Sequence, residues 1–91
     1  TRGSVDASFY QAAGAEIDLL LTFPDRETWA IEIKRSTSPK AGKGFHTACR
    51  DVQATHKFIV YPAQEQFTTS AGVRVTSLAA LAHKISETLA T

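Results

Sequence analysis

Apolar and polar positions alternate through two neighbouring segments, residues 15–23 and 27–34. The apolar odd positions of this pair are Ile17, Leu19, Leu21, Phe23, Trp29, Ile31 and Ile33. A period of two is typical of β-strands, because successive side chains point to opposite faces of a sheet. The sequence "PDRE" between the segments is typical of a turn. We therefore predict a β-hairpin with a core face of odd positions and a mixed face of even positions.

Three further stretches predict strands in the rest of the chain. Residues 7–12 are short and aromatic, and residues 72–76, "GVRVT", form a short final strand. Residues 57–61, "KFIVY", are a nearly continuous apolar run that Pro62 ends. Such a run is typical of a strand that is buried on both faces.

Two stretches repeat their apolar residues with the spacing of a helix. The first covers residues 44–54, with its stripe at Phe45, Ala48, Cys49 and Val52. The second can be N-capped by Ser77, and its stripe is Leu78, Leu81, Ala82, Ile85 and Leu89. Since Cys49 lies on an apolar stripe, we expect a buried, unreactive thiol.

The predicted order of elements is therefore β-β-β-α-β-β-α, in one domain that covers residues 1–91. An antiparallel hairpin that continues through a helical crossover favours a parallel strand as the next neighbour. We therefore expect the strand that begins at Lys57 to run parallel to the one that ends at Lys34. The predicted fold class is α/β with a mixed sheet.

The polar face of the hairpin carries the candidate chemistry. With a three-residue loop at residues 24–26, Asp18 lies opposite Glu32 and Glu16 lies opposite Lys34. Opposed Cβ atoms lie roughly 4.5–5.5 Å apart. Two carboxylates at that separation repel each other unless a cation lies beside them. Lys34 is one candidate for that cation, and a divalent metal ion is the other.

Carboxylates on neighbouring strands with a lysine beside them can support metal-dependent hydrolysis of a phosphodiester. Mg²⁺ accepts one or two carboxylates and keeps other positions for water and phosphate oxygens. The lysine can orient the attacking water and stabilise developing negative charge. The alternative is an ion-pair cluster on the solvent side, worth about 1 kcal/mol or less per pair.

The ordered segments "SFYQAAGAEIDLLL", "WAIEIKRS" and "KFIVYP" carry a family resemblance. They resemble the C-terminal domain of uncharacterised bacterial and archaeal AAA-type ATPases, within the PD-(D/E)xK, restriction-endonuclease-like superfamily. The resemblance implies Asp18 and Glu32 as ligands of Mg²⁺ or Mn²⁺ and Lys34 as the catalytic lysine. It also implies the backbone carbonyl of Ile33 as a further metal ligand and Glu16 as an additional one.

The chain departs from that family pattern in two ways. Only residues 1–6 precede the first predicted strand, too few for the first core helix of the superfamily. No GxxxxGK[ST] phosphate-binding loop occurs, so we expect ATP binding to belong to an upstream ATPase domain. Without that helix one apolar face of the sheet would stay exposed, and such a surface favours self-association.

Charge and composition limit the classes of partner. The net charge of +1 gives no overall nucleic-acid signature. Arg35, Lys40 and Lys43 nevertheless lie in a stretch without acidic residues and are candidates for contacts with a phosphate backbone. The alternative is a solvated loop. No apolar run approaches the ~20 residues of a membrane span, and a single cysteine favours a reducing, cytoplasmic compartment.

Two functions of different classes follow from these observations. The first is a nuclease-like domain of an AAA-type ATPase, with Mg²⁺- or Mn²⁺-dependent hydrolysis of nucleic acid. The second is a non-catalytic regulatory module, or one that binds nucleic acid or protein, and that retains the fold. The acidic residues together with Lys34 favour the first function, whereas the near-neutral charge and the missing helix favour the second.

Overall fold

The computed structural model describes residues 4–38 and 40–90. In this part of the chain one mixed sheet carries a helix on each face. The elements are β1 (Asp6–Ala12), β2 (Ala15–Thr22), β3 (Thr28–Ile33), α1 (Lys43–Val52), β4 (His56–Val60), β5 (Phe67–Thr68), β6 (Arg74–Thr76) and α2 (Leu78–Ala90). The strand order in the sheet is β1-β2-β3-β4-β6-β5. None of the described helices is long and apolar enough to cross a membrane.

The predicted α/β class and mixed sheet are confirmed. β1, β2 and β3 are successively antiparallel, and β3 pairs in parallel with β4 after the α1 crossover. The predicted order is wrong at one place, because β5 adds a strand that pairs with β6. β5 has only two residues, both exposed, so it carries too little alternation to be recognised in the sequence.

The prediction of a single core face for β2 is also wrong. Ala15 and Ile17 pack under α1, whereas Leu21 and Phe23 pack on the α2 side. The cause is a β-bulge, because Ser8 pairs with Leu20 but Tyr10 pairs with Ile17. One residue of β1 therefore lies opposite two residues of β2, and such an insertion moves the side chains that follow to the other face. The inserted pair is Asp18 and Leu19.

Each face of the sheet has its own buried cluster. The cluster under α1 consists of Ala15, Ile17, Ala30, Phe45, Ala48, Cys49, Ile59, Tyr61, Val73 and Val75. The cluster on the α2 side consists of Leu21, Phe23, Trp29, Ile31, Phe58, Val60 and Leu81. The strand at 56–60 contributes to both clusters, which confirms the prediction that it is buried on both faces.

The start of α1 packs closely against the β1–β2 turn. A Cβ built on Gly44 would lie 2.8 Å from the carbonyl oxygen of Gly14. Gly14 itself has a φ of 73°, a left-handed conformation that glycine adopts without steric cost. Two glycines thus allow the helix and the turn to touch.

The ends of the helices follow from local hydrogen bonds. α1 ends at Val52 because Gln53 adopts a left-handed conformation with φ 55°, and its amide bonds to the carbonyl oxygens of the last turn. At the start of α2 the amide of Ala80 donates to Ser77 Oγ over 3.2 Å. The predicted N-cap is therefore confirmed.

Candidate functional site

The three predicted acidic residues border one cleft. Glu16, Asp18 and Glu32 line a cavity of about 240 Å³ beside the start of α1. The α1 side of the cleft is formed by Gly42, Gly44 and Phe45. Residues distant in the sequence therefore meet on the α1 face, at the end of the sheet where β3 finishes.

Asp18 reaches this cleft from the bulge in β2. The β2–β3 pairing follows the predicted register from Thr22–Thr28 to Leu19–Ile31, and its last pair lies one position before Asp18. At the next position the Asp18 side chain replaces the regular pairing, because its Oδ2 accepts the amide N–H of Ile33 over 2.8 Å. Bulges commonly redirect a side chain in this way next to functional sites.

Glu32 and Lys34 lie side by side, as alternation along a strand predicts. Lys34 Nζ is 3.3 Å from Glu32 Oε2, and the two side chains are 26% and 19% exposed respectively. The other Glu32 oxygen accepts the amide N–H of Gly42 at a long 3.4 Å. Glu32 therefore joins the end of β3 to the residue that caps α1.

The N-terminus of α1 is electropositive at this point. Its first turn contains no acidic residue, and Gly42 supplies no side-chain cap. Free amides at the start of a helix carry a partial positive charge that favours anions. This end of the helix offsets part of the negative charge that the three carboxylates bring to the cleft.

Comparison with known proteins gives one match. The model of the family described as domain of unknown function DUF4143 matches residues 1–81. The chain belongs to the DUF4143 family. No curated protein and no solved structure matches it.

Oxygen donors in this DUF4143 chain have the chemical character that Mg²⁺ and Mn²⁺ prefer. Asp18 Oδ1 and the Glu16 carboxylate form no hydrogen bond or ion pair with any described residue. However, within residues 4–38 and 40–90 no three His, Cys, Asp or Glu side chains converge as a ready metal cluster. Mg²⁺ takes one or two carboxylates and keeps several waters, so its binding does not require a closed cage of protein ligands.

The predicted phosphate-contacting residues lie on the segment that connects β3 to α1. Arg35, Lys40 and Lys43 are all exposed. None of the three forms an ion pair with a described residue. Lys43 is the first residue of α1 and lies between two glycines of the cleft wall.

The contribution of α1 to the cleft was not predicted from the sequence. A helix was predicted from residue 44, but the close approach of Gly44 to Gly14, which positions the cleft wall, was not. The sequence did contain a signal for this contact, namely one glycine in a turn, Gly14, and another at the predicted helix start, Gly44. Cys49 is buried, as predicted, and burial raises the pKa of its thiol to about 11.

Two further side chains, Tyr10 and His56, have specific polar contacts. Tyr10 Oη donates to Asp51 Oδ2 over 2.9 Å, which ties β1 to the end of α1. This hydrogen bond to a carboxylate raises the pKa of Tyr10. His56 Nε2 lies 3.5 Å from Glu27 Oε1, which also accepts the indole N–H of Trp29. Both contacts lie outside the candidate cleft.

Proposed function

We propose that this chain is a divalent-metal-dependent domain that hydrolyses phosphodiester bonds in nucleic acid. The observation that carries the proposal is the shared cleft of Glu16, Asp18 and Glu32, with Lys34 Nζ 3.3 Å from the Glu32 carboxylate. Carboxylates beside a lysine are the groups that such hydrolysis needs.

Each residue has a distinct role in this proposal. Asp18 and Glu32 would hold Mg²⁺ or Mn²⁺, with Glu16 and the Ile33 carbonyl as further ligands. The bound ion would polarise the scissile phosphate and lower the pKa of a water molecule. Lys34 would orient the water and stabilise negative charge as it develops.

In this proposal the exposed basic segment between β3 and α1 binds the substrate. Arg35, Lys40 and Lys43 would contact phosphates and position the nucleic acid without reading its sequence. The free amides at the start of α1 add a site of partial positive charge beside them. The net charge of +1 is consistent with a local rather than a global electrostatic contribution.

The proposal also covers the superfamily of the fold and the longer protein to which the domain belongs. The βββαβ order, with β3 and β4 parallel and the acidic and lysine pair at the end of β3, supports a restriction-endonuclease-like fold. We place the domain at the C-terminal end of a cytoplasmic AAA-type ATPase, because of the family resemblance of its sequence.

A second candidate function is supported by a specific observation. Both Glu32 oxygens already have partners, and no described cluster of three acidic or histidine side chains converges on a metal position. A non-catalytic module that binds nucleic acid or protein would retain the fold while these groups serve as internal ion pairs.

Metal binding separates the two functions. We expect Mn²⁺ to raise the melting temperature of the parent and to give calorimetric heat at millimolar concentration, on the order of 10⁻³ M. Asp18→Asn should lose the metal response but keep the fold, because its amide oxygen can still accept the Ile33 N–H. Asp25→Asn is the matched control, since Asp25 also accepts a backbone N–H, that of Glu27, from outside the cleft.

Lys34→Ala tests catalysis rather than binding. It should retain or strengthen Mn²⁺ binding, because a competing positive charge is removed, and should lose cleavage of labelled DNA and RNA. A parent that gives no Mn²⁺ response would exclude the metal site and leave the interaction module. A parent that binds Mn²⁺ but cleaves neither nucleic acid would exclude the nuclease.

A further inference from the structure

The two edges of the sheet are different. One edge is β5, with two residues, and the other is β1, with seven. An edge strand presents unpaired amides and carbonyls that can pair with another chain. Only β1 is long enough to offer a continuous row of them.

β1 lacks the features that usually protect an edge strand. Its sequence is "DASFYQA", with a single charge at Asp6 and no lysine or proline. The inserted residue of the bulge lies in β2, so β1 itself stays regular. Six of its seven residues are exposed, and the Phe9 side chain is 72% exposed.

The direction of the backbone groups follows from the two neighbouring turns. The two-residue turn 13–14 is closed by the Ala12–Ala15 pair, which places the hydrogen-bonding groups of Ala12 and Tyr10 toward β2. In the next hairpin Phe23 N–H bonds to Glu27, so Leu20 is directed toward β1, where Ser8 is its partner. The two turns agree on which residues of β1 direct their backbone groups toward β2. Ala7, Phe9 and Gln11 therefore direct their amides and carbonyls away from the sheet.

We propose that β1 is a homodimer interface in which it pairs antiparallel with β1 of a second copy, about a two-fold axis at Phe9. This register overlaps all seven residues of the strand. It places Phe9 opposite Phe9 and Ala7 opposite Gln11, so the outward groups of one chain meet those of the other. An isologous interface of this kind closes at two copies.

The side chains favour a second copy as the occupant. Asp6 lies opposite Ala12 in this register, so no like charges face each other. The two Phe9 rings lie on the same face of the joined sheet and cover each other as a cross-strand aromatic pair. The main exposed apolar ring of the edge is thereby removed from water.

Cysteine cross-linking tests the register. Hydrogen-bonded partners have Cα atoms about 5.5 Å apart, within the range that a disulfide can bridge. Phe9→Cys should therefore form a disulfide-linked dimer under mild oxidation. Ala7→Cys is the matched control, because its partner is Gln11, and it should stay largely reduced. Cys49 does not interfere, since it is buried.

Sedimentation tests the interface without a covalent link. The parent should shift from monomer to dimer as concentration rises through the micromolar range, on the order of 10⁻⁶–10⁻⁴ M. Phe9→Lys should weaken association at least ~10-fold, because two charges then face each other. Leu78→Lys replaces an equally prominent apolar side chain, 68% exposed on α2, and should leave it unchanged.

Three outcomes would overturn the proposal. These are a parent that stays monomeric throughout, a dimer that Phe9→Lys does not weaken, and equal cross-linking of the two cysteine variants. Circular dichroism of each variant serves as the control for a retained fold. All of these measurements are made without added metal, so they do not depend on the proposed nuclease function.

Discussion

α1 and α2 cover opposite faces of the same sheet but are held in different ways. In α1 three of ten residues are buried, namely Phe45, Ala48 and Cys49, and the helix start also touches the β1–β2 turn. α2 has thirteen residues, all described, and only Leu81 is buried. Because buried apolar area is the main favourable term in folding, α1 should be the more firmly held helix.

Open clefts border both helices. Open clefts of about 290 and 320 Å³ lie along α2. Their walls include Arg74, His56 and Lys84, and the Arg74 guanidinium lies 5.8 Å from the centre of the Phe58 ring. The candidate carboxylate cleft lies instead at the start of α1. A site that needs fixed geometry thus lies on the more tightly packed face.

The largest expected contrast comes from truncating the apolar anchor of each helix. Phe45→Ala should lower the free energy of unfolding by about 3–5 kcal/mol, because it opens a cavity under α1. Leu81→Ala should cost about 2–3 kcal/mol, near the lower end for leucine, because Leu81 is the one buried residue of a loosely packed helix. Urea unfolding measures both values. An equal or larger loss for Leu81→Ala would contradict the comparison.

A smaller effect is expected where α1 meets the hairpin turn. Gly44→Ala places a methyl group 2.8 Å from the Gly14 carbonyl oxygen and should cost about 1–3 kcal/mol. The matched control is Gly42→Ala, because a Cβ there has no neighbour within 4 Å. Equal stability of the two alanine variants would show that the Gly14 carbonyl does not exclude a side chain at position 44.

The smallest effect concerns the cap of α2. Ser77→Ala removes the acceptor of the Ala80 amide and should cost about 1 kcal/mol. Ser86→Ala, at an exposed position of the same helix, serves as the control and should be neutral or slightly stabilising. Thermal unfolding measures the two variants. Amides of α2 should also exchange with solvent faster than those of α1, and slower exchange would weaken the comparison.

Local patterns in the sequence were sufficient to predict most of the secondary structure. The alternation in 15–23 and 27–34, the helical stripe from Phe45 and the cap at Ser77 are properties of neighbouring residues. The three-residue loop also set the β2–β3 register, because a short loop and an alternating core face restrict how two strands can pair. β5 was missed since two exposed residues carry no period.

The candidate site was only partly accessible from the sequence. Glu32 lies near the end of β3 and Lys34 directly follows the strand, so their side-by-side placement follows from a period of two in extended backbone. Glu16, Asp18 and Glu32 were predicted to share one face of the hairpin, and all three line one cleft. The shared face is wrong for Glu16, because its neighbours Ala15 and Ile17 pack under α1 and alternation directs it to the other face. Neither the wall that α1 contributes nor the Ile33 amide as partner of Asp18 could be predicted, because each depends on a contact between separate elements.

The sequence by itself determined the mixed α/β class, the hairpin register, the helical crossover and the identity of the acidic and basic side chains. Tertiary structure decided which face each half of β2 presents and where Asp18 points. The physical reason is the bulge, which depends on how β1 pairs with β2 and is absent from any local alternation. A single inserted residue places Ile17 under α1 and Leu21 toward α2, with Asp18 between them.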